Sequence, residues 1–99
     1  MDNTTANSSA FERGGIKIGD IVISLAGHDA GSVFIVTAEL NADFVLIADG
    51  KSRTIESPKL KRKKHLRVVG QASELDSTNA SLVKRLKKFI SDRRLYAEK

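Results

Sequence analysis

The residues best suited to proton transfer or metal binding are two histidines, His28 and His65. Asp29 follows His28, but no serine or cysteine motif accompanies the pair, and neighbours in a strand-connecting loop need not face one another. His65 is flanked by Lys64 and Arg67, with no acid within several positions. Two histidines this far apart give no metal-ligand spacing. Both read as ordinary polar or packing residues. Gly27 and Gly31 are spaced G-x-x-x-G but lack the Gly-Lys-Ser/Thr with which a P-loop grips phosphate. No catalytic residue, metal site or cofactor is expected.

The chemistry that remains is cationic. Lys59, Lys61, Arg62, Lys63, Lys64 and Arg67 follow one another with no acid between them. Such side chains neutralise phosphates and release condensed counterions, which drives affinity independent of base sequence. The C-terminal residues 80–99 are also basic, at +5, while residues 59–67 carry +6 and the rest of the chain −6, for +5 overall. Charge segregated this way points to a polyanion partner more strongly than the total does. Six positives without an acid are more than solubility requires. Anionic lipid is the competing polyanion, but the first cluster lacks an amphipathic helix to carry it, and no membrane contact is expected.

A chain of 99 residues suggests one domain with a modest core. There is no cysteine, hence no disulfide and no zinc-thiolate site, as befits a reducing cytoplasm. No apolar run is long enough for a transmembrane helix, and the N-terminus, with Asp2 and no apolar h-region, does not read as a signal peptide.

The elements that must position the cations follow in order. Residues 1–13 are Asn/Thr/Ser-rich and read as a disordered tail. Residues 16–18 lead into a first strand over 21–26, rich in small and β-branched residues. A loop bracketed by Gly27 and Gly31 connects it to a second strand, 33–40. Residues 44–48, FVLIA, are apolar throughout, as in a strand buried on both faces or part of a small barrel. Asp49-Gly50 predicts a two-residue type I′ turn that folds a fourth strand, 51–55, back on the third. Pro58 ends that strand, the basic segment 59–64 follows as a loop, and 65–69 is a fifth strand. Residues 70–78 are a polar linker. Leu82, Val83, Leu86, Phe89 and Ile90 then form one helical stripe over about 80–95, with Thr78 or Asn79 as its cap. That stripe is expected to pack on the sheet, because an isolated helix of this length is marginal in water. Phe34 and Phe44 read as core, so a base-stacking platform is not expected.

The order Gly19-Asp20, β-rich run, Gly27, Gly31, β-rich run resembles the KOW motif of ribosomal proteins and transcription-elongation factors. Ala48–Lys51 (ADGK) and 58–66 (PKLKRKKHL) extend the likeness to the eukaryotic-type large-subunit ribosomal protein fourteen family and its small bacterial relatives. It covers roughly residues 16–68. The resemblance implies a mainly β fold: a five-stranded SH3-like barrel over 14–69, here followed by a linker at 70–78 and a basic amphipathic helix within 79–99. It also implies RNA binding, most naturally to ribosomal RNA, with ribosomal proteins as further partners.

In such relatives the block matching PKLKRKKHL lies against RNA, which assigns Lys59, Lys61, Arg62, Lys63, Lys64, His65 and Arg67 to the interface. The glycine loop approaches the RNA backbone, which adds Gly27, His28 and Gly31. Relatives commonly carry Arg or Lys beside those glycines. This sequence has His28, Asp29 and Ala30 there, so His28 is expected to stack on a base or bond a ribose. Lys51 and Arg53 are supporting contacts. The rivals are a protein-interaction module, since SH3-like barrels often bind peptides, and a DNA-binding barrel.

Overall fold

The computed structural model describes residues 15–93. The expected tail at 1–13 and the part of the expected helix beyond residue 93 lie outside the described residues. Five strands, β1 (Asp20–Ser24), β2 (Val33–Glu39), β3 (Phe44–Ala48), β4 (Lys59–Arg62) and β5 (Leu66–Gln71), precede one helix, α1 (Asn79–Arg93). All pairings are antiparallel, in the order β4-β3-β2-β1-β5. The sheet is open, with β4 and β5 as its two edges.

Those edges are nonetheless joined by only a 3-10 turn, Lys63–His65. A flat sheet of this width would hold its outer strands about 19 Å apart, from four inter-strand spacings. The chain from Arg62 to Leu66 spans at most about 14 Å. The sheet must therefore curl, and the turn bonds to both halves. Lys63 donates its N–H to the Asp43 carbonyl at 2.8 Å, and the His65 carbonyl accepts from Leu25 N–H at 2.8 Å. Bulges at Ile21/Val22 and Val36/Ala38 supply local bending.

Curling creates an inside and an outside. Val22, Phe34, Val36, Val45, Ile47, Leu66 and Val68 pack inside, with Ile16 closing one end. Ile21, Val33, Ile35 and Ala48 face out and are covered by Leu82 and Leu86 of α1. The uninterrupted apolar run Val33, Phe34, Ile35, Val36 is thus explained: the central strand is buried on both faces. In β3 only Val45 and Ile47 point inward. Phe44, expected in the core, lies half-buried on the outside.

Two expectations fail together. Residues 51–55 are not a strand, and 59–62 are. The Asp49 carboxylate accepts the N–H groups of Lys51 and Arg53, both at 2.9 Å, so the chain after β3 closes on its own aspartate instead of forming a two-residue hairpin. The resulting loop wraps against the helix start. Asn79 accepts the Ile55 N–H at 2.8 Å and donates to the Glu56 carboxylate at 2.8 Å. Thr78 is the cap, accepting the Ser81 N–H at 3.1 Å. β5 runs to Gln71, which shortens the expected linker. Asp76 within that linker is bound by Ser81 and Arg85.

Gly50 is where this loop meets α1. Its φ is +83°, and an added Cβ would come within 2.5 Å of the Asn79 carbonyl oxygen. Gly50→Ala is expected to destabilise the fold by about 2 kcal/mol or more, because both the backbone angle and the helix position must change. Thermal unfolding measures the loss, and hydrogen exchange should show it first in α1.

Candidate nucleic-acid interface

The strand β4 divides the basic run by its pleat. Lys61 is paired with Val45 and Lys59 with Ile47, both inward-facing, and directly opposed residues share a face. The two lysines therefore leave the backbone toward the interior. Their ammonium groups converge on one carboxylate, Asp29, in the loop after β1. Lys59 Nζ lies 2.8 Å from Oδ2 and Lys61 Nζ 2.9 Å from Oδ1. Lys61 also donates to the Ala26 carbonyl at 2.8 Å, and the Ser24 hydroxyl donates to Asp29 Oδ1 at 2.8 Å. Lys61 is only 7% exposed. Burial alone would raise the Asp29 pKa, but hydrogen bonds from Lys59, Lys61 and Ser24 outweigh it and hold the carboxyl well below its ordinary range.

Within the expected interface, then, Lys61 is buried and Lys59 partly so, and both ammonium groups are engaged by Asp29. The expectation of a basic loop failed because alternation in K-L-K-R is invisible without the acid it serves, which lies 30 residues upstream of Lys59. Asp29 and Ser24 are the residues that sequence reasoning missed here. Lys63 is drawn toward Glu39 at 3.9 Å, a long pairing.

The other side of the segment is open. Arg62 points outward, its guanidinium 4.8 Å from the centroid of the Phe44 ring. Lys64 and Arg67 are exposed, and neither has an acidic partner among the described residues. His65 is half-buried. Gly27 and Gly31 both adopt positive φ, +87° and +91°, and the turn they bracket presents exposed His28. This loop adjoins the basic turn through the Leu25–His65 backbone bond, and a Cβ on Gly27 would lie 3.5 Å from Lys61 Nζ. The fold thus brings Gly27, His28 and Gly31 to the same end as Lys64 and His65.

Lys51 and Arg53 are exposed in the loop that packs on α1. Lys51 lines a groove with Lys87. Nothing places Arg53 beside the other cations. On the helix, Arg85 is withdrawn by Asp76, with Nε 2.6 Å from Oδ2. The hydrogen bond from Arg85 lowers the Asp76 pKa against the opposing effect of burial. Lys88 lies 3.4 Å from Asp92.

Among the described residues no group of three or more His, Asp or Glu side chains is placed to hold a metal ion. No described helix is long and apolar enough to cross a membrane. No family model matches the chain, and no curated protein matches it in sequence.

Asp29→Asn tests the interior cluster. Two inward ammonium groups would lose their counter-charge, and a loss of roughly 2–4 kcal/mol in unfolding free energy is expected. The pH dependence follows from the lowered folded-state pKa. Asp29 contributes fully above the unfolded aspartate value of about 3.9, and the contribution is lost as pH falls below it. Chemical denaturation between about pH 5 and pH 2 should show a shallower acid decline in the variant. Some decline persists from Asp76, whose shift has the same sign.

Proposed function

We propose that this protein binds structured RNA through the outward cations of the segment joining the two sheet edges. The reading takes the curled sheet as an SH3-like barrel of the KOW type, with large-subunit ribosomal RNA or its precursor as the natural partner. It would act in the cytoplasm as a ribosomal or ribosome-associated accessory protein, beside ribosomal proteins and without a catalytic step.

One observation carries this. With the internal pairs set aside, Arg62, Lys64 and Arg67 still project into solvent without acidic partners among the described residues. Lys64 stands on the short turn, which backbone bonds fix at both ends, with Arg62 closing β4 just before it and Arg67 in β5 just after it. A turn held in this way keeps its charges together, so that neighbouring phosphates are met by side chains already in place. The glycine loop beside it supports the reading, since backbone without Cβ atoms permits close approach. His28 at its tip can stack on a base or bond a ribose hydroxyl. The footprint is smaller than the whole basic run, and affinity should be modest and dependent on salt.

The test is the slope of binding against salt for a structured ribosomal RNA fragment. Replacing Arg62, Lys64 and Arg67 together by alanine should flatten it by up to about three units, roughly one for each phosphate no longer neutralised. Lys61→Met, which leaves Asp29 its Lys59 partner, should leave the slope unchanged. An unaltered slope in the triple variant rejects the footprint. Competition with duplex DNA separates an RNA-binding from a DNA-binding barrel.

A second reading, a protein-interaction module, rests on the outside of β4. Leu60 is 52% exposed and Leu75 44% exposed. A groove of about 280 Å³ lies nearby, lined by Leu46, Ile55, Pro58 and Leu75 among others. A purified ribosomal protein whose association survives nuclease and is abolished in Leu60→Asp would favour it.

A further inference from the structure

A second groove runs between the start of β2, the loop after β3 and one flank of α1. Its volume is about 270 Å³. The floor is apolar, formed by Val33, Val83, Leu86 and Ile90. The rim carries Lys51 from the loop and Lys87 from the helix, both exposed and both without an acidic partner among the described residues. Asp49 is the acid that lines the groove, and its oxygens already accept the N–H groups of Lys51 and Arg53 and the Ser52 hydroxyl. Ser32, next to Gly31 of the glycine loop, also lines it.

The larger groove on the opposite flank of the helix makes a useful contrast. Its volume is about 430 Å³ and it also has cationic walls. There Arg85 is held by Asp76 and Lys88 is met by Asp92. Two of its three wall cations are thus matched, and Lys84 is the one without an acidic partner among the described residues. The Lys51/Lys87 groove therefore combines an apolar floor with two ammonium groups that the described chain leaves unmatched. That combination suits a flat apolar group bearing a phosphate.

We propose that this groove seats one unstacked nucleotide of the bound RNA, its base against the half-buried Val83 and Ile90 and its phosphate between Lys51 and Lys87. The assignment rests on the RNA-binding reading and adds a single-stranded element to it. The outward cations at Arg62, Lys64 and Arg67 meet phosphates whatever the RNA's pairing, while the groove admits only a base free of its helix. Selectivity then comes from strandedness, with little discrimination among bases, because the floor offers apolar contact and no pattern of donors and acceptors.

The test compares an RNA hairpin with the same hairpin bearing a short uridine overhang. The wild-type protein should bind the overhang form at least about fivefold more tightly. The double variant Lys51→Ala, Lys87→Ala should lose that advantage, the ratio of its affinities for the two RNAs falling to about one. Both residues are exposed, so the fold should survive, which circular dichroism verifies. Methyl resonances of Val83 and Ile90 should shift with the overhang RNA and not with the plain hairpin. Equal binding of both RNAs by the wild-type protein overturns the groove assignment and leaves the RNA-binding reading standing. A variant that weakens equally on both RNAs overturns it too, since the lysines then act as general surface charge. Failure to bind either RNA sinks both readings. If an acidic peptide, polyglutamate, shifts those methyls and the RNA does not, the occupant is a protein segment and the proposal is wrong.

Discussion

One carboxylate, Asp29 in the loop after β1, is shared by two inward-pointing lysines of β4. That arrangement governs much of the rest. The edges of the sheet are joined by a turn too short for a flat sheet, so the strands enclose an apolar interior. An interior with an open mouth needs a polar closure that still satisfies its charges. Lys59 and Lys61 reach across from β4 and Asp29 reaches over from the loop after β1. Both ammonium groups find the Asp29 carboxylate, and Lys61 also reaches the Ala26 carbonyl.

The closure explains why the charge of the basic segment does not act as one block. A strand alternates its side chains, and β4 sends Lys59 and Lys61 one way and Arg62 the other. The turn that follows escapes the alternation and exposes Lys64. Structural and external roles are thereby divided among adjacent residues. Asp29, the acidic residue of the glycine loop, belongs to this interior group and not to the exposed face.

The helix solves a different problem. Curling leaves the outer side of β1 and β2 apolar, and α1 covers it with Leu82 and Leu86. The loop after β3 is held to the helix start through Asn79, so sheet, loop and helix form one packed unit. Packing also disposes the helix cations unequally. Arg85 turns back to Asp76, while Lys87 stands beside the loop lysine Lys51.

The chain by itself determined the apolar runs at 21–23, 33–36 and 44–48, the glycines at 27 and 31, and the helical stripe from Leu82 to Ile90. Each is a local pattern whose period or turn chemistry is written in consecutive residues. It also established that positive charge is concentrated after Pro58. Only the tertiary structure decided which of those charges face water. That outcome depends on a carboxylate far away in the chain and on which strand edge the segment joins. The same holds for Asp49-Gly50, where a local hairpin signal yielded to a side-chain-capped loop docked on the helix. Charge partnership and burial are properties of residues brought together across the fold, and no local period encodes them.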